Sequence, residues 1–302
     1  MARTMPSGVH VQIYRDAVPD VASLDAALDA LRALGVAGIA WHGTTHELTP
    51  DVFGPLHEKA AARGMISFAA FGLGRGANKS PETAGERIAA VARTPGCAGV
   101  VFDAEHLWED ARDDKAKAAA LMTAFREAAP DALAVDQPWP IPTSHGSFPW
   151  EAFYARVDVT APQVYCNNWR QRWGRDAYER FEAWHLASWR SLEERIARAG
   201  LAMPPKINTR QGYRWFLDDC VTMLCREPTV IVWCEPYPDR TFRFALEAVR
   251  ALAGRGFAGP DAVRAFQADA RAAGAYGGAV DGRFGREAAR ALGLEVPSGV
   301  LV

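Results

Sequence analysis

The chain of 302 residues lacks any apolar run approaching the roughly 18 residues that a membrane helix needs. It lacks an excess of either charge: 34 Lys and Arg face 36 Asp and Glu, a formal net charge of −2. That balance carries no basic footprint for nucleic acid and none for an anionic membrane surface. The five cysteines, at 97, 166, 220, 225 and 234, are odd in number and form no CxxC pair. Neither a disulfide framework nor a zinc site is expected, only plain thiols in a reducing compartment. The opening residues, MARTMPSGVHVQIYRD, have no apolar stretch before a small-residue cleavage site. Synthesis in the cytoplasm without a signal peptide is therefore expected. No HxH or HExxH occurs, and the turn after the first apolar run has no GxGxxG. The Gly-rich GLGRGANKS (72–80) lacks a GK[ST] ending and reads as a flexible loop rather than a phosphate cradle. No metal and no cofactor is expected.

What the chain does have is alternation. GVHVQIY (8–14), VAGIAWHG (36–43), MISFAAFG (65–72), CAGVVFDAE (97–105), ALAVDQPW (132–139), RVDVTAPQVY (156–165), PPKINTR (204–210) and TVIVWCEP (229–236) read as strands. Helical patterns at 21–35, 49–64, from Ser80, 115–129, about 176–199, 215–226 and 241–254 fall between or after them. Thr49-Pro50-Asp51 and Ser80-Pro81-Glu82 are helix-start signals, a capping residue followed by proline at the first helical position. Between strands five and six only a short helix fits, within 140–155. Continuous apolar strands imply a sheet buried on both faces. Eight strand–helix units in about 245 residues predict an α/β fold, a (β/α)8 TIM-type barrel over 1–252. A doubly wound open sheet is the competitor. Residues 253–260, AGRGFAGP, read as a linker, and 261–302 as a small helical C-terminal appendage.

In such a barrel the reactive groups stand at the C-terminal strand ends. There the chain concentrates carboxylates, amides and aromatics. Strand four ends GVVFDAEHLW, with Asp103 and Glu105 two residues apart and hence on one side, and Trp108 just beyond. Tyr14 ends strand one, and Trp41 and His42 end strand two. Asp136, Gln137 and Trp139 follow strand five; Gln163, Tyr165, Asn167, Asn168 and Trp169 follow strand six. Asn208 and Arg210 end strand seven, Trp233 and Glu235 strand eight. Seven of the ten tryptophans lie at strand ends or in the loops after them. Flat rings with amides and carboxylates suit a sugar chain, whose pyranose faces stack on aromatics. Two close carboxyls in an apolar mouth raise at least one proton affinity, which keeps an acid able to protonate a glycosidic oxygen. The bland alternatives are ion pairs of Asp103 and Glu105 with Arg15 or Arg210, and of Glu235 with Arg240. A carboxylate–His cation site involving His42 and His106 lacks supporting spacing.

VVFDAE resembles the strand-four DxE of barrel glycoside hydrolases, both family 25 (lysozyme-like muramidases) and family 18 (chitinase-like). APQVYCNNW is similar to strand six of family 18, and VIVWCEP to its strand eight. The likeness implies Glu105 as general acid, Asp103 as its partner, Tyr165 as the acetamido contact and Trp233 as a sugar platform. The longer acidic pattern of family 18 is absent, since Ala98 and Val101 stand where its further acids would be. Family 25 commonly has an Asp on strand one, where this chain has HVQIY. Asp136 is read as a second catalytic carboxylate or an orienting partner. Tyr14, Trp41, Trp108, Gln137, Trp139, Gln163, Asn167, Trp169, Asn208, Trp233 and Glu235 are the expected substrate contacts.

The appendage DAVRAFQADARAAGAYGGAVDGRFGREAARALGL (261–294) resembles a small three-helix peptidoglycan-binding domain, through Val263, Phe266, Gln267, Gly274 and the run Val280 to Gly285. With so few residues it is expected to lean on the barrel. Together the resemblances imply a β-1,4-glycosidase acting on peptidoglycan glycan strands, an endolysin-like lysozyme that reaches the wall after holin-type release. A chitinase-like or N-acetylglucosaminidase enzyme is one alternative. A non-catalytic wall-binding barrel is another. The oxocarbenium-like centre would be stabilised by Asp103 or Asp136, or by the substrate's acetamido group held by Tyr165. Carboxyls about 5 Å apart imply retention and about 6.5–9.5 Å inversion, unless the substrate assists.

Overall fold

Apolar runs of four to seven residues become strands, and the segments between them bury one face as helices on the sheet. The structure is a computed structural model that describes residues 3–14, 20–109, 114–138, 142–163, 180, 183–184, 187–188, 206–208, 216–234 and 240–302, with backbone alone at 106, 142, 206–208, 233 and 234. The strands are β1 (Gly8–Tyr14), β2 (Gly38–Gly43), β3 (Ile66–Gly72), β4 (Cys97–Asp103), β5 (Ala134–Asp136), β6 (Val159–Thr160), β7 (Lys206–Asn208) and β8 (Thr229–Cys234). Between them stand α1 (Val21–Ala33), α2 (Pro50–Ala61), α3 (Arg75–Lys79), α4 (Pro81–Ala92), α5 (Asp114–Ala128), α6 (Trp150–Tyr154) and α7 (Leu217–Arg226). Then follow α8 (Arg240–Gly254), α9 (Ala262–Ala272) and α10 (Arg286–Ala291). Among the described residues no helix is long and apolar enough to cross a membrane.

All recorded pairings are parallel, and the order is β6-β5-β4-β3-β2-β1-β8-β7, the cyclic order of a (β/α)8 barrel. Two apolar layers follow from the alternation of side chains along each strand. Val11, Ile13, Ile39, Trp41, Phe71, Val100 and Phe102 face outward and pack with Leu28, Phe53, Ile88, Leu121 and Phe125 from the helices. Ala40, Phe68, Ala70, Val101, Val135, Val159 and Ile231 face inward and form one cluster, so the sheet curls around them. Each fully buried Leu or Phe contributes about 1.5–3 kcal/mol. The contact between α4 and α5 depends on Gly85: a Cβ there would overlap the Leu121 carbonyl.

Several elements differ from expectation in extent. Among the described residues β5 and β6 are shorter than their sequence runs, spanning Ala134–Asp136 and Val159–Thr160. The Gly-rich 72–80 segment is not simply a loop: α3 forms within it. Asn78 on α3 donates to the Leu107 carbonyl and to Asp114, at 3.2 and 3.0 Å, and accepts from Lys117 at 3.2 Å. Those partners come from distant chain, so local composition could not announce the helix. The expected helix over 176–199 lies almost wholly outside the described residues.

The appendage shares the barrel's core. Val263, Phe266, Tyr276, Phe284 and Leu292 form one cluster with Leu217, Val221, Phe242 and Leu246 of α7 and α8. The Leu217 amide donates to the Leu301 carbonyl at 2.8 Å. Within it, Gln267 is fully buried and holds the Asp-Gly turn, taking the Gly282 amide at 2.7 Å and donating to the Arg283 carbonyl at 2.9 Å. Asp281 closes the same turn on the Arg283 amide at 2.9 Å. The motif residues of 261–294 thus serve the fold, since they fix the turn at which Gly282 takes φ +80°.

Candidate active site

The site grows from inward-facing strand ends. On β1 the inward residues are His10, Gln12 and Tyr14; on β2, Ala40 and His42; on β4, Val101 and Asp103. Near the closed end, polarity is compensated or suppressed. His10 is buried, its Nε2 lies 2.8 Å from the Pro6 carbonyl, and desolvation lowers its proton affinity despite that acceptor. Toward the mouth, Asp103 is only 7% exposed, while Glu105 is half-buried just past the end of β4. Tyr14, at 36% exposure, stands at the rim and meets the His42 ring edge-on, with centroids 4.5 Å apart.

One side chain joins the two carboxyls. Gln163, buried next to β6, has its Nε2 2.9 Å from Asp103 Oδ1 and 3.0 Å from Glu105 Oε1. The same nitrogen donates to the Gln137 carbonyl at 3.0 Å. Both carboxyl oxygens therefore lie within about 6 Å of each other. On the other side of Asp103, His42 Nε2 is 3.5 Å from Oδ2. In sequence His42 reads as a strand-end residue and a metal-ligand candidate; its alternation with inward Ala40 is the signal that it faces this carboxylate. Gly72 of β3 leaves it room, since a Cβ there would sit 3.2 Å from the ring. Gln12 and Gln137 are also buried, and their amide atoms have no hydrogen-bond partner among the described residues.

No family model and no curated protein matches the sequence. Solved structures do match. A GH18 chitinase from Pseudoalteromonas aurantia aligns at TM-score 0.51 and 10% identity, over 80% of this chain and 99% of that one. An endo-beta-1,4-mannanase from Thermotoga petrophila aligns at 0.54 and 10%, over 83% and 77%. A GH2 beta-galacturonidase from Eisenbergiella tayi aligns at 0.56 and 12%, over 80% of this chain and 50% of that longer one. The fold is shared with barrel glycoside hydrolases. At such identity the likeness extends to the fold alone.

Three expected site residues stand elsewhere. Trp41 faces outward from β2 and is buried in the sheet–helix layer, because the residue before inward His42 must point the other way. Trp108 lies in a 3-10 turn (His106–Trp108) that folds it into the same layer, fully buried, its Nε1 2.7 Å from the Leu73 carbonyl. Neither ring lines a groove. Asp136 alternates with inward Val135 and lies with outward Ala134 on the helix side, near Tyr154 of α6. Tyr165, Trp139, Asn167, Trp169 and Glu235 lie outside the described residues, as do the side chains of Asn208 and Trp233. The ion pairs weighed with Arg15, Arg210 and Glu235 fall there too.

Asp136 is fully buried, and among the described residues neither oxygen has a hydrogen-bond partner. Burial first, and the Asp103 charge second, raise its proton affinity well above the ordinary carboxyl range. Burial likewise raises that of Tyr154. An acid kept protonated in the fold loses stability relative to the unfolded chain once the pH passes its unfolded value, about 4. That loss continues until the folded group itself ionises. Asp136→Asn removes the titration. The variant's stability relative to the parent is expected to rise with pH from about 4 upward, by about 1.4 kcal/mol per pH unit. Urea denaturation of both proteins from pH 4 to 7 checks this; parallel profiles would contradict a neutral Asp136.

Proposed function

We propose that the chain is a glycoside hydrolase that cleaves β-1,4 amino-sugar linkages in peptidoglycan glycan strands. The observation that carries the reading is the pair at the end of β4, half-buried Glu105 and buried Asp103 joined through one amide nitrogen. Glu105 protonates the leaving oxygen, and Asp103 supplies negative charge beside the developing cation. The proposed outcome is retention, by direct attack or through the substrate's acetamido group, and the anomer of the released sugar tests it. Asp136, on the helix side, is set aside as nucleophile. Tyr14 is a rim contact, and Tyr165, Trp233, Asn167 and Trp169 remain proposed contacts at the mouth.

The names of the fold neighbours, a chitinase, a mannanase and a β-galacturonidase, support glycosidase chemistry. The wall as substrate rests on the appendage and its resemblance to a peptidoglycan-binding module. Delivery by holin-type release, as for an endolysin, goes with that substrate. A second reading, chitin or its oligosaccharides, is favoured by the alignment across 99% of a GH18 chitinase.

The test is release of reducing sugar from purified peptidoglycan and from chitin oligosaccharides, with mass spectrometry of the fragments. Muropeptides with new reducing ends are the expected product. Cleavage of chitin alone favours the second reading. Co-sedimentation with wall and no cleavage of either makes the barrel a binder.

A further inference from the structure

Gln163 was expected to touch substrate, yet its amide nitrogen is engaged by the protein. It is 1% exposed, and three acceptors surround that nitrogen: Asp103 Oδ1, Glu105 Oε1 and the Gln137 carbonyl, at 2.9 to 3.0 Å. A turned amide would set an oxygen against three oxygens, so the assignment of nitrogen and oxygen follows from the surroundings. The backbone is fixed as well: the Gln163 amide donates to the Pro138 carbonyl at 3.0 Å. A nitrogen with two hydrogens and three acceptors has none left for a sugar hydroxyl.

We propose that Gln163 is a positioning residue that clamps Asp103 and Glu105 together and decides which oxygen of Glu105 carries the acid proton. This rests on the glycosidase reading given above. With Oε1 accepting from Gln163, the proton belongs on Oε2, and the carboxyl cannot rotate to exchange the two without breaking the clamp. Charge-assisted donation is strongest to an anion. Asp103 receives it while also facing His42 from β2. Asp136 of β5 lies on the helix side of the sheet and, held protonated by burial, adds no negative charge beside Asp103. From β1, Tyr14 meets the His42 ring edge-on. The pair is thereby biased toward anionic Asp103 and protonated Glu105.

Two variants test the clamp. Gln163→Leu keeps approximate size and removes the donor. A lost donor to the charged form raises carboxyl proton affinity. Both limbs of the kcat/KM profile are therefore expected to move up, by about one pH unit. The expected fall in kcat is on the order of 10–100-fold, the effect of a misplaced reacting group, with KM changed less than about twofold. Gln163→Glu keeps the shape, adds a third carboxyl and offers a donor only when protonated, so activity is expected to survive only on the acid side. It also serves as the variant of record if the leucine substitution does not fold. A raised KM with unmoved pH limbs would make Gln163 a substrate contact and overturn the proposal. If the parent cleaves neither peptidoglycan nor chitin, the glycosidase reading fails on its own. The clamp is then read by carbon-13 NMR titration of the Asp and Glu carboxyls in parent and variants. An upward shift of the Asp103 midpoint supports it, and an unchanged midpoint overturns it.

Discussion

Glu105→Gln is expected to lower kcat for glycan cleavage by about 10²- to 10⁴-fold, the range a positioned general acid contributes. The substitution keeps the size of the side chain and its carbonyl oxygen, so the amide can still accept from Gln163 Nε2. It removes the only dissociable proton the group had. Glu105 is half-buried at the end of β4 and belongs to none of the apolar clusters, so the fold is expected to survive within about 1 kcal/mol. Substrate binding is expected to persist, because the loss falls on a step made only in the transition state. The measurement is reducing-sugar release at saturating wall substrate, beside co-sedimentation with wall and a thermal melt. Cleavage at the parent's rate would remove Glu105 from the chemistry. Lost cleavage with intact melting and intact binding leaves it there. Asp103→Asn is a useful companion, since it keeps the Gln163 contact through the amide oxygen while removing the negative charge.

The barrel was legible because its signal is redundant. Eight apolar runs, each too short for a helix and too continuous for an exposed sheet, demand cover on both faces, and the intervening helical patterns supply it. The observed strand order follows from that without any single residue being decisive. The two-residue spacing of Asp103 and Glu105 also told which side they share. What was not legible came from the same alternation applied too loosely. Trp41 and His42 read in sequence as one strand-end group, yet neighbours along a strand face opposite ways, and only His42 looks inward. Asp136 fell to the same rule, being the neighbour of inward Val135. α3 and the role of Gln163 were hidden for another reason. They depend on partners 26 to 60 residues away in sequence, and no local pattern encodes such a meeting.

Trp108 gives the sharpest contrast between a residue type and its surroundings. A tryptophan three residues beyond a candidate acid reads as a sugar platform, and such a platform must show a face to solvent. Trp108 shows none: its exposure is 0%, its ring meets Phe153 edge-on with centroids 5.6 Å apart, and its indole nitrogen donates to the Leu73 carbonyl at 2.7 Å. Trp108→Ala is therefore expected to cost about 3–5 kcal/mol, through lost burial and the cavity left between β4, α5 and α6. Trp108→Phe keeps most of the packing but leaves the Leu73 carbonyl without its donor, at a cost of about 1–3 kcal/mol. Chemical denaturation of the three proteins measures both. Under native conditions, where the phenylalanine variant is still folded, its KM for glycan is expected to match the parent's, since the ring does not reach the cleft. A platform would give the opposite pattern: stability nearly unchanged and KM raised severalfold. The ring instead anchors the turn that carries the chain away from Glu105. Its contribution to the site is to hold the end of β4 in place, so that Asp103 and Glu105 meet the Gln163 amide together.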